Sequence, residues 1–459
     1  MRYRLRHYEI DMTHGPLFKK LLLFSVPLML TGILQLLYNA ADIVVVGRFT
    51  GTTAQAAVSS TSALINLTVN LFIGLSVGAS VSVASHYGAG RHKDVSQAVH
   101  TAIGISLVAG VAVGIFGICM ARNLLELTGT PDDVMDQAVI YLTIYFSGMP
   151  ASMLYNFGAA ILRAVGDTRR PLYYLAISGM VNVVLNLISV IAFGMGAAGV
   201  SLATVVSQVV SAVLVTLCLC RSHGPIHLRF KDVRLHKDKL AEIAKVGIPA
   251  GLQSTIFSIS NVMIQSSINS FGSATMAGNG TASNLDSFVN ITMNAVGQAA
   301  LSFTSQNMGA GQYRRIGKVA MECSLLILAI GLGMGFTIIL LGRQLLGIYT
   351  LDQSVIDQGM VRLRIMCSTY FTCGLMDCFA YTLRGMGHSL APMLVTVLGV
   401  VGIRITWLYT VFAANHTLVE LYLSYPVSWT VTTSVHILCF FLVYKKLLKR
   451  ESPMPAAAP

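Results

Sequence analysis

Apolar residues recur along this chain in runs of about 20 or more, cut by short polar or charged segments, which is the length a helix needs to cross a bilayer. Twelve such runs can be marked: 21–46, 54–84, 95–120, 134–158, 171–193, 197–220, 241–268, 276–306, 316–341, 355–380, 391–414 and 419–444. The pattern predicts an all-α membrane protein with twelve transmembrane helices. Its second half repeats its first: Pro27, Asn39 and Phe49 return as Pro249, Asn261 and Phe271, each 222 residues on. Gly88-Ala89-Gly90 returns as Gly309-Ala310-Gly311, and Leu162-Arg163 with Gly166 as Leu383-Arg384 with Gly387. Two six-helix, pseudo-symmetric bundles follow, with boundaries expected at 1–222 and 241–459 and a basic link over 223–240. Six spans per half make the repeats parallel, an arrangement found in transporters that hold a ligand near the midplane and rock for alternating access.

Composition changes the picture only by excluding soluble classes. Of 459 residues, 54% are hydrophobic and 11% charged, and the mean hydropathy is +0.69, outside the range of soluble domains. The net charge of +12 would suggest a nucleic-acid partner if it were clustered on a soluble domain. Instead, 25 of the 31 Lys and Arg fall in the N-terminus, the even-numbered loops with the span ends that flank them, and the C-terminus. By the positive-inside rule this places both termini in the cytoplasm of a multi-pass inner (cytoplasmic) membrane protein. No nucleic-acid partner is expected. The basic start, Arg2, Arg4, Arg6, Lys19 and Lys20, leads into a run too long for a signal peptide, so the first span is expected to be retained. The eight cysteines form no paired array and are expected as free thiols.

Asp42 is the only charge in the back half of the first run, Leu36 to Val46. A bare carboxylate at that depth costs about 3 kcal/mol on insertion scales, and a transporter that keeps one usually uses it. Gln35, Asn39 and Asp42 follow a spacing of four and three that aligns them on one helical face. Asn182 and Asn186 lie four apart, so both amides leave one face of the fifth helix. The remaining acids inside spans are Asp286 and Asp377; Asp377 is the repeat-mate of Asn156 and stands within reach of a pairing with Arg404. No Gly-Lys-[Ser/Thr] loop, HExxH or GxSxG motif occurs, so neither ATP drive nor hydrolytic enzyme chemistry is expected, and no cofactor.

The chain resembles the multidrug and toxic compound extrusion (MATE) family. The likeness rests on Phe24-Ser25-Val26-Pro27, on Leu37-Tyr38-Asn39 through Asp42 to Val46-Gly47-Arg48, and on Gly88-Ala89-Gly90. Its most specific elements are Leu162-Arg163-Ala164-Val165-Gly166-Asp167-Thr168 followed by Pro171, and the second-half copy Leu383-Arg384-Gly385-Met386-Gly387-His388-Ser389 followed by Pro392. The resemblance implies a monomeric secondary active antiporter that exports small amphipathic, often cationic, organic compounds in exchange for H+ or Na+, with membrane lipid as its other partner. It implies a cation or proton site at Asp42, Asn182, Asn186 and Thr204, with Na+ as the one metal ion expected there. The substrate cavity is expected at Gln35, Tyr38, Asn39, Asn156, Gln253, Asp286 and Asp377. Family members with the clearest Na+ site carry a second acid where this chain has Asn186, which favours proton coupling. For Asn182, Asn186 and Thr204 the other reading is interhelical hydrogen bonding, worth about 0.6 kcal/mol per pair. The alternative function is a flippase for a lipid-linked precursor, which predicts a cavity ringed by Arg and Lys to hold a diphosphate.

Overall fold

The computed structural model describes residues 8–50 and 52–451; Arg2, Arg4 and Arg6 lie outside the described residues. Helices account for nearly all of these residues. They follow one another as α1 Leu17–Phe49, α2 Thr52–Gly88, α3 His92–Leu127, α4 in two pieces, Asp132–Ser147 and Met149–Ala164, α5 Arg169–Ala192 and α6 Gly196–Arg221. The second half gives α7 Lys237–Asn269, α8 Ser273–Gly309, α9 Tyr313–Gly347, α10 Gln353–Gly385, α11 Leu390–Asn415 and α12 Leu418–Glu451. Each of the twelve expected spans sits on one of these helices to within a residue. Most helices run past the apolar stretch at both ends; α10 opens with Asp352 accepting from the Ser354 N–H at 2.9 Å.

Three helices, α7, α8 and α10, are not apolar enough to register as spans by hydropathy, whereas eight others do and the bent α4 makes a ninth. Several of their buried polar residues, Gln253, Asn279, Asp286 and Arg362 among them, are bonded to other side chains of the protein. Large apolar side chains cover the outside instead, as Met321, Leu325, Leu332, Phe336 and Leu340 do along α9. This inversion of the soluble pattern suits a protein solvated by acyl chains.

The chain divides into two compact units. Unit 1 holds the residues up to Asp11 and Pro27–Ile248; unit 2 holds Met12–Val26 and the residues from Pro249 on. The divisions fall at prolines inside α1 and α7, not in the basic stretch 223–240. Close backbone contact explains why the start of α7 belongs to unit 1. A Cβ on Gly78 of α2 would stand 2.2 Å from the Ile243 carbonyl oxygen, and one on Gly247 would stand 2.8 Å from Leu75 Cα. Small residues at such crossings are the usual means of packing helices in lipid. Val83, Val99, Phe157, Leu162, Val215 and Ile243 form the main core of unit 1; Ile316, Phe379, Leu383 and Phe440 form part of that of unit 2.

The repeated glycines mark matching turns. Gly90 and Gly311 have φ of +68° and +71°, and Gly166 and Gly387 have +96° and +81°, values that other residues adopt only under strain. Gly166 is doubly constrained, because a Cβ there would lie 2.5 Å from the Ile10 carbonyl oxygen.

Candidate functional site

The polar groups of unit 1 converge where α1, α5 and α6 meet. Asp42 is half-buried on α1, one turn before Val45 and Val46, which are buried in an apolar cluster with Tyr141, Val190, Ala197 and Val200. Asn186, fully enclosed, donates its Nδ2–H to the Asp42 carboxylate. The same nitrogen reaches Asn182 Oδ1 at 3.2 Å, and Asn182 Nδ2 reaches Thr204 Oγ1 at 3.4 Å. The Thr204 hydroxyl donates a hydrogen bond to the Val200 carbonyl at 2.9 Å. The helical spacing of four places both amides over one another on α5, and the helix loosens into π-helical turns immediately afterwards, at Ile188–Ala192. Such turns are frequent at functional sites.

The chain thus brings one amide donor, that of Asn186, to a single carboxylate, while Asn182 accepts from Asn186 and donates to Thr204. Asn186 Oδ1 is buried without a hydrogen-bond partner among the described residues. A desolvated acceptor beside a carboxylate is suited to a hydron or a small hard cation, since either would satisfy the orphaned oxygen as well as the charge.

Tyr38 secures α1 here. Its ring packs against Gly179 of α5, where a Cβ would fall 1.8 Å from the ring, and its hydroxyl reaches the Ala176 carbonyl at 3.4 Å. That glycine carried no signal in the sequence beyond its residue type. Gln35 and Asn39 are exposed on α1, and Asn156 is half-buried with its amide turned to the Ser152 carbonyl at 2.9 Å. A pocket of about 420 Å³ opens at the far end of α1, lined by Phe49, Thr50, Gln137, Ile140 and Met195 among others, and it shares Val190 and Ala197 with the apolar cluster beyond Asp42.

In unit 2 the expected cavity residues are differently placed. Asp286 is paired with Arg362, which approaches its Oδ2 with Nη2 at 2.7 Å and Nε at 3.0 Å. Arg362 also donates to Asn279 Oδ1 at 2.8 Å, and Tyr422 donates to the same oxygen at 3.0 Å. Gln253 is buried between Thr396, at 3.0 Å, and Arg384, at 2.6 Å. These two residues are therefore engaged within unit 2 by side chains of the protein itself. Asp377 is half-buried, and the pairing with Arg404 expected from the sequence is not formed. Arg404 turns to Ser428, Ser260 and Asn261 instead. Arg362 was the missed partner: it lies 76 residues from Asp286, and only the packing of α8 on α10 brings them together. Among the described residues no group of three or more His, Cys, Asp or Glu is placed to hold a metal ion.

These features agree with what the chain resembles. The MatE family model matches it twice, over residues 27–188 and 249–410, which are the two halves of the repeat. It is 26% identical over 435 residues to the probable multidrug resistance protein YoeA of Bacillus subtilis (strain 168), covering 92% of this chain and 93% of that protein. To the probable multidrug resistance protein YpnP of the same organism it is 32% identical over 309 residues, 67% of this chain and 68% of the relative. Among solved structures, an outward-facing multidrug resistance MATE family transporter of the MOP superfamily superposes with a TM-score of 0.89 at 21% identity, covering 95% of this chain and 98% of the other. A MOP superfamily transporter from Pyrococcus furiosus, whose binding pocket is described as having reverse polarity, gives the same score over 97% and 99%. The fold, the doubled match and the relatives place this chain in the MATE family of multi-pass membrane transporters.

Proposed function

We propose that the protein is a secondary active antiporter, exporting small organic, often cationic, compounds across the cytoplasmic membrane in exchange for an inward-moving ion, with both termini on the cytoplasmic side. The observation that carries this reading is the lone Asp42 carboxylate joined through Asn186 and Asn182 to Thr204 on three helices of one unit. A charge that can be neutralised in place is what couples an ion gradient to a rearrangement of helices. The coupling ion is a proton, because the site holds one carboxylate and Asn186 presents an N–H to it rather than an oxygen. Na+ is the alternative, since Asp42, Asn182 and Thr204 also offer oxygens. The names of the relatives, which are multidrug resistance and multidrug export proteins, support organic compounds as cargo.

The test is reconstitution in liposomes with an imposed pH or Na+ gradient and a fluorescent cationic dye. The wild-type protein is expected to extrude dye under a pH gradient without sodium, and Asp42→Asn to abolish gradient-driven extrusion. The asparagine keeps the shape of the site and offers its own N–H to the orphaned Asn186 Oδ1, so folding is preserved. Undiminished extrusion by Asp42→Asn would refute the assignment.

A further inference from the structure

Halfway along α11, Arg404 is 1% exposed and is among the largest fully enclosed side chains in the protein. It sits on a short regular stretch, Ile403–Trp407, between π-helical segments Val397–Gly402 and Leu408–Phe412. Its Nε donates to Ser428 Oγ at 3.2 Å and its Nη1 to Asn261 Oδ1 at 3.0 Å and Ser260 Oγ at 3.5 Å. The guanidinium also lies over the rings of Tyr425, at 4.1 Å, and Phe257, at 5.3 Å. All of these partners are neutral, and Nη2 is buried with no hydrogen-bond partner.

A guanidinium cannot shed its proton in a protein, so this charge is permanent. Rings and hydroxyls offset part of the cost of burying it but leave the net charge in place. Among the described residues no carboxylate lies within ion-pair distance of it, and Asp286, the buried acid of α8, is committed to Arg362. A second orphan donor shares Tyr425 as a neighbour: the indole Nε1 of Trp429 is buried without an acceptor, and that ring packs on Tyr425 with centroids 5.6 Å apart.

We propose that unit 2 binds a small monovalent anion against Arg404 Nη2 and Trp429 Nε1, either chloride or the carboxylate of a transported solute. One uncompensated cation enclosed among neutral groups selects a single negative charge; a divalent sulfate or phosphate would bring a second charge with nothing to meet it. At the 222-residue offset that matches Pro27 to Pro249 and Asn39 to Asn261, unit 2 has Ile264 where unit 1 has Asp42, so the repeat supplies no acid there to meet Arg404. This assignment does not depend on which ion unit 1 takes.

The chain has two tryptophans, so Trp407→Phe leaves Trp429 as the sole indole. Purified Trp407→Phe protein is titrated with chloride, iodide, acetate or benzoate at ionic strength held constant with sulfate. The expected result is a saturable change in Trp429 emission, together with a melting temperature that rises with anion concentration. Saturation by halides alone identifies a chloride site; saturation by carboxylates, with displacement of iodide, identifies a solute site. Adding Arg404→Gln is expected to abolish the saturable component, while Arg404→Lys retains it with weaker affinity. Emission that changes only linearly with every anion in the Trp407→Phe protein overturns the proposal, whether or not the Arg404→Gln variant folds. So does a saturable change that survives Arg404→Gln.

Discussion

Asn186→Asp is the substitution that most directly separates proton from sodium coupling. Asn186 is fully buried and already in hydrogen-bond contact with the Asp42 carboxylate, so the exchange replaces a donor by a second acid at nearly constant volume. Two carboxylates about 4 Å apart repel by about 4 kcal/mol at the effective dielectric of about 20 that suits such sites. That repulsion disappears when a cation lies between them, which corresponds to a gain in cation affinity of up to about a thousandfold. The oxygens of Asn182 and Thr204 complete a set of hard ligands suited to Na+. In liposomes, dye efflux by the wild-type protein is expected to be indifferent to sodium, and Asn186→Asp is expected to become sodium-stimulated. A variant that melts like the wild type, stays insensitive to sodium and keeps the original pH profile would refute the reasoning, because the second charge would then not be felt at Asp42.

Two further predictions concern how buried charges are held. Removing one member of the Asp286–Arg362 pair, by Asp286→Leu or Arg362→Met, leaves a buried ion unpaired and is expected to cost about 3–5 kcal/mol in thermal or denaturant unfolding, whereas the double substitution recovers most of it; equal losses in the single and double variants would show that the pair is not coupled. Asp167, enclosed in the turn between α4 and α5, accepts the Arg169 and Arg170 N–H groups at 3.2 and 3.1 Å and pairs with the Arg170 side chain. Burial outweighs these partners and pushes its carboxyl up from 3.8 to about 6. The native state therefore holds that proton more tightly than the unfolded chain, so the group's contribution to stability is complete below pH 3.8 and lost as pH rises through about 6. The melting temperature of the wild type is expected to fall across that window relative to Asp167→Asn; parallel pH profiles would contradict it.

The helices were legible because span length and charge alternation are one-dimensional signals, and both survive whatever the helices pack against. The turn glycines were legible for the same reason: Gly90 and Gly311, or Gly166 and Gly387, answer to local backbone geometry. On the site, the spacing of Asn182 and Asn186 fixed a shared face on α5, and the structure brings that face to Asp42 and Thr204. What spacing cannot give is the rotation of each helix about its own axis. Asp377 and Arg404 read as a plausible pair because each was a lone charge in a neighbouring span, yet Arg404 faces α7 and α12. Nor did loop charges reveal that Lys239 leaves the basic link to meet His86 at 2.8 Å, Glu242 at 3.2 Å and Asp94 at 3.2 Å. As sequence they marked only which side of the membrane a loop occupies.

The repeat keeps its backbone and changes its chemistry, and the residues just named show it most plainly. His86 and Asp94 correspond to Asn307 and Arg315, each 221 residues on. In unit 1 the start of α7 is held at this place by side-chain charges: Lys239 against Asp94 and Glu242, with Ser82 and His86 on the same carboxylate of Glu242. In unit 2 the residues leading into α1 are held by their backbone, with Asn307 donating to the Met12 carbonyl at 3.1 Å and Arg315 to the carbonyls of Met12, His14 and Gly15. Backbone carbonyls carry no net charge, whereas an ammonium packed between two carboxylates makes ion pairs that respond to salt. Duplication supplied two copies of one helical frame, and divergence at these matched positions left charged side chains fastening one copy and backbone carbonyls fastening the other.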